Sequence, residues 1–132
     1  MNEELLNILR EIADPANCKL PDGWKTKTRL WCPAPEALEI SLRDAENHVK
    51  VWVVLSLKVN DVIDLLGRLM RAIEGEGKPR FNREDFYGDG GWIVENGEGL
   101  YVNEEFQYGD VASEALALAR CIRAACAVDV AT

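Results

Sequence analysis

Apolar residues recur along this chain at two periods, about 3.6 and 2, and the switches between them mark out its elements. Leu5, Ile8, Leu9 and Ile12 lie three or four apart, with Glu3, Glu4, Asn7, Arg10 and Glu11 opposite. That pattern predicts a short amphipathic helix ended by Asp14-Pro15. From Trp24 to Trp31 the period becomes two. Trp24, Thr26, Thr28 and Leu30 fall on one side, and Lys25, Lys27 and Arg29 on the other, predicting a strand with one basic, solvated face. Cys32-Pro33-Ala34-Pro35 breaks it. Leu38, Ile40 and Leu42 alternate with polar residues, and Val49, Val51, Val53, Leu55 and Leu57 do the same after a polar turn, so a hairpin is expected. Trp52 and Val54 fall on its nominally outer face, where another element or a second subunit is expected to cover them.

Asn60 suits the N-cap of a helix whose wide stripe is Val62, Ile63, Leu65, Leu66, Leu69, Met70 and Ile73. Gly75, Gly77 and Pro79 stop it. The stretch that follows is expected to be irregular until Gly91. Trp92-Ile93-Val94 and Leu100-Tyr101-Val102 then flank Asn96-Gly97, a hairpin signal. Asp110 suits the N-cap of a last helix through Ala115, Leu116, Ala119, Ile122 and Ala125, whose small side chains let it lie close to a sheet. The expected architecture is α+β, in the order α-β-β-β-α-β-β-α: a mostly antiparallel sheet of about five strands with three helices packed on it. At 132 residues, with no repeat or linker, residues 1–132 are expected to form a single domain.

Composition narrows the function classes. The chain carries 15 Lys and Arg against 23 Asp and Glu, a net charge of −8. A phosphate-backbone binder needs a basic surface, so direct nucleic-acid binding is not expected. No apolar run approaches the roughly 20 residues that span a membrane. The acidic start Met1-Asn2-Glu3-Glu4 is unlike a secretory leader, which points to the cytoplasm. The charge excess is local. Residues 81–110 hold one basic residue, Arg83, and eight acids, alongside seven of the ten aromatics.

Candidate chemistry is sparse. Cys18, Cys32, Cys121 and Cys126 form no C-x-x-C pair, and on one helix Cys121 and Cys126 would point about 140° apart. They are expected to be buried free thiols, with no disulfide derivable for Cys18 and Cys32. His48 lies in a polar turn, where it is expected to be solvated. Gly75-Glu76-Gly77-Lys78 and Gly88-Asp89-Gly90-Gly91 are in the wrong context for a phosphate cradle and read as turns. Ser41, Ser56 and Ser113 lack a nucleophile-elbow setting. No catalytic residue, metal site or cofactor is expected. Acids interleaved with aromatics do suit a surface that meets a basic protein, aromatics anchoring and charges steering. Phe86, Tyr87, Trp92, Glu95, Glu98, Tyr101, Glu104 and Glu105 are the candidate contact residues. The alternative is a small-ligand or metal-dependent enzyme built on Glu84, Asp85 and Asp89, although their spacing is not that of an EF-hand.

From the middle helix onward, Trp92-Ile93-Val94, Leu100-Tyr101-Val102, Tyr108-Gly109-Asp110-Val111-Ala112 and the alanine-rich run 115–125 resemble the small phage and prophage proteins of the α-β-α sandwich type. The resemblance implies a phage- or prophage-encoded accessory protein, acting in the cytoplasm of a bacterial host, with no catalytic residues to carry over. The function expected is therefore non-catalytic interaction with a basic host or phage protein. Inhibition by an acidic surface that imitates phosphates is a narrower form of it. Open sheet edges add the expectation of a homodimer.

Overall fold

The computed structural model describes residues 3–30, 38–43, 51–53, 59–75, 77, 79–85 and 88–128, and the side chains of these except 26–30, 38–43, 51–53 and 61. The elements run α1 (Glu3–Ala13), β1 (Lys25–Leu30), β2 (Leu38–Arg43), β3 (Val51–Val53), α2 (Val59–Gly75), β4 (Arg80–Asp85), β5 (Asp89–Glu95), β6 (Tyr101–Gln107) and α3 (Val111–Cys126). The fold is α+β with three helices, as the periodicity predicts. Strand number and arrangement differ from expectation. Among the described residues six strands form two antiparallel sheets, β1-β2-β3 and β4-β5-β6, each a simple meander. The additional strand is β4, in the stretch expected to be irregular. Its sequence, Arg-Phe-Asn-Arg-Glu-Asp, has Phe81 as its one apolar side chain, so there is no alternation to read. It is a strand because β5 pairs with it along its full length.

The α1 stripe is buried as predicted: Leu5, Ile8, Leu9 and Ile12 are all at most 2% exposed. Val62, Leu65, Leu66 and Leu69 of α2 are fully buried. Asn60 lies inside α2, which begins one residue earlier, so it is not the N-cap. Helix α3 is the centre of the packing, touching α1, α2, β5 and β6. Enclosure from several sides buries Ala115, Ala117, Leu118, Ala119, Cys121, Ile122 and Cys126, more than one face of a helix. Alanines at those positions permit the close approach. Asp110 caps α3 as expected, its carboxylate accepting from the Ser113 N–H at 3.2 Å, while the Ser113 hydroxyl accepts from Gln107 N at 3.1 Å. The ends of α1 and α3 are joined by a contact the sequence does not announce. Cys18 and Ala127 form an antiparallel bridge, with Lys19 N donating to Cys126 O and Val128 N to Asn17 O.

Candidate interaction surface

The register of β4-β5-β6 sorts the acidic segment into two faces. On the inner face, Phe81 opposes Val94, Arg83 opposes Trp92 and Asp85 opposes Gly90, with Val102, Glu104 and Phe106 continuing those rows on β6. Phe81, Trp92, Val94 and Phe106 belong to the main core. The outer face carries the rows Arg80–Glu95–Tyr101, Asn82–Ile93–Asn103 and Glu84–Gly91–Glu105, with Asp89 beside Gln107. Gly91 and Ile93 in the middle strand are buried, and the exposed side chains lie on the flanking strands and strand ends. Glu84 and Glu105 thus flank a glycine from strands two apart, about 10 Å across the sheet.

Charges on the inner side are paired. Arg83 bonds Asp85 at 2.8 Å and Glu114 at 3.2 Å, and its guanidinium stacks 5.2 Å from the Phe106 ring centroid and 5.7 Å from that of Tyr108. Hydrogen bonding to Asp85 pushes the Tyr108 phenol up. Arg120 reaches Glu104 at 3.4 Å and also pairs with Glu4, while Arg123 meets Glu11 at 2.9 Å. Asp110 is taken up by the helix cap. On the outer face Glu84, Asp89, Glu95 and Glu105 are exposed, and none makes an ion pair among the described residues. Tyr101, in the same row as Glu95, is 62% exposed.

The turn joining β5 to β6 is built by Asn96. Its side-chain oxygen accepts from Glu98 N at 2.7 Å and Leu100 N at 3.1 Å, and Gly97 and Gly99 supply positive φ of 76° and 106°. Glu98 is thereby held exposed at the tip.

Of the expected contact residues, Glu95, Glu98, Tyr101 and Glu105 come together on the outer face and its turn. Two do not. Trp92 is 9% exposed and packed in the core, because it shares the face of Val94 and Phe106. Glu104 points the same way and is engaged by Arg120. Phe86 and Tyr87 lie outside the described residues, as do His48, Cys32, Val54 and the side chain of Trp52. Glu84 and Asp89 join the surface instead. Pairing of β4 with β5 would have revealed this, since every second residue of a strand shares a face.

The same alternation leaves the alternative reading without a ligand set. Asp85 faces inward onto Arg83 while Glu84 and Asp89 face outward, and no group of three His, Cys, Asp or Glu converges among the described residues. Gly88-Asp89-Gly90-Gly91 is not a turn throughout: β5 begins at Asp89, and only Gly88 has positive φ, at 79°.

Cys18 and Cys121 are unsuited to nucleophilic work. Cys18, Cys121 and Cys126 are buried, and none of the three is in a disulfide. Burial pushes Cys121 up to about 12, and its Sγ donates to Trp92 O at 3.4 Å. Burial, with Glu11 adding to it, also raises Cys18. Cys18 lines a hollow of about 360 Å³ with Pro15, Lys19, Leu20, Trp24 and Val128. A protonated thiol among apolar walls is a packing group there. No helix among the described residues is long and apolar enough to cross a membrane. Comparison with family models, curated proteins and solved structures returns no match to this chain.

Proposed function

We propose that this is a non-catalytic interaction protein that binds a basic protein through the outer face of β4-β5-β6. The observation that carries the reading is the sorting of charge. Acids facing the helices are engaged by Arg83, Arg120 or a helix cap, whereas on the outer face Glu84, Asp89, Glu95 and Glu105 make no ion pair among the described residues, and Tyr101, beside Glu95, is exposed. Clustered acids make the local potential negative and steer a basic partner, and a tyrosine supplies contact area at low entropic cost. The resemblance of the C-terminal half supports placing this activity in a phage- or prophage-encoded accessory protein of the bacterial cytoplasm, with inhibition of the bound protein as its consequence.

The experiment is affinity capture from a bacterial lysate with three baits: wild type, the triple variant Glu95→Gln, Glu98→Gln, Glu105→Gln, and Tyr101→Ala. The expected result is a basic protein retained by wild type and lost or depleted on both variants, whose thermal unfolding is unchanged because the altered side chains are exposed. Equal retention of the same proteins by all three baits rules the reading out.

A further inference from the structure

We propose that the free edge of β4 is a self-association surface, where a second copy of this chain adds its own β4 antiparallel about a two-fold axis at Asn82. Strand β5 occupies one side of β4, and among the described residues no strand occupies the other. The backbone phase of that edge is set by one hydrogen bond. Phe81 N donates to Glu74 Oε2 at 3.1 Å, so this amide is turned away from β5. Amides alternate along a strand, so those of Arg83 and Asp85 point outward as well, while Arg80, Asn82 and Glu84 address β5.

The side chains are self-complementary in the register this phase allows. With Asn82 on the axis, Phe81 faces the second copy's Arg83, and each offers the other an outward N–H and C=O, the closely bonded type of antiparallel pair. On the outer face Arg80 then lies directly across from the second copy's Glu84, and the axis repeats the pair. Both residues are exposed and make no ion pair within the chain among the described residues. Glu74, a flexible side chain, swings off the Phe81 N–H to admit the incoming carbonyl. Pro79, which has no N–H, ends the paired stretch.

The two neighbouring registers that keep faces matched both forfeit the Arg80–Glu84 pairs: an axis at Arg83 sets Arg83 against its own copy, and an axis at Phe81 sets Arg80 across from Asn82. The opposite edge, β6, carries Glu104 and Glu105 with no cation in the strand, the usual protection against edge pairing. Pairing at β4 would extend each three-stranded sheet into a continuous six-stranded one and double its outer acidic face. It shares Glu84 with the proposed partner-binding face, but the test of that face uses Glu95, Glu98, Tyr101 and Glu105 and leaves β4 untouched, so the two can fail separately.

The test is sedimentation equilibrium on the full chain at concentrations up to about 1 mM, since an interface this small is expected to be weak. A reversible monomer–dimer equilibrium is expected. Glu84→Lys places lysine against the second copy's Arg80, and Arg80→Glu places glutamate against its Glu84. Each variant alone is expected to associate about tenfold more weakly. Mixed in equal amounts, the two become complementary at both pairs, and association returns to wild-type strength. A wild-type chain that stays monomeric throughout overturns the proposal. A dimer indifferent to both substitutions, or one weakened by both without restoration in the mixture, overturns it equally.

Discussion

Single residues decide how the C-terminal sheet closes on the helices. A Cβ at Gly90 would lie 2.4 Å from the tip of the Phe106 ring, which is itself buried between Arg83 and the core. Gly90→Ala must therefore displace a packed aromatic, and a loss of about 1–3 kcal/mol in chemical denaturation is expected. Trp92→Ala should lose about 3–5 kcal/mol, the cost of truncating a core aromatic. The Trp92 indole N–H has no partner among the described residues. Trp92→Phe is accordingly expected to be much the milder change, because it removes an unsatisfied buried donor along with some volume. Cys121 sets an alkaline limit. Its folded thiol keeps a proton up to about pH 12, whereas the unfolded thiol releases one near 9. The stabilisation is complete below about pH 9 and is lost as pH rises toward 12, amounting to about 4 kcal/mol over the window. Urea midpoints measured from pH 8 to 11 should fall with pH, and fall less in Cys121→Ala.

At the scale of elements, helices were more legible than strands, for a physical reason. A stripe such as Leu5, Ile8, Leu9 and Ile12 records one buried face over several turns, and all four positions are buried. Strand β5 was readable because its apolar run is buried on both sides. Strand β4 was not, because an edge strand with a single buried side chain carries no period. The cap of α3 was visible in Asp110, whose replacement by Ala should cost about 1 kcal/mol of stability, read as a lowered unfolding midpoint. Asn60 had the same chemistry without the same role, since α2 starts before it.

For the molecule as a whole, the charge excess of residues 81–110 becomes meaningful only once divided between faces. If the outer acids capture a basic partner, the association rate should fall as salt is raised and screening shortens from about 10 Å at 0.1 M to about 3 Å at 1 M. Stopped-flow measurement on the captured partner checks this, and a rate indifferent to salt would remove the steering role of Glu95 and Glu105. Glu104→Gln should leave that rate nearly unchanged and act on stability instead, because Arg120 already holds its carboxylate at the helix layer. Sequence by itself determined the class of the fold, its three helices, the turn at Asn96-Gly97 and the stretch in which acids and aromatics concentrate. Each of these is written in local spacing or in composition. Tertiary structure alone decided that the strands divide into two sheets, that Trp92 and Glu104 turn inward, and that Glu84 and Asp89 turn outward. Facing depends on strand register, and register is fixed by pairing between segments whose contacts no local pattern records.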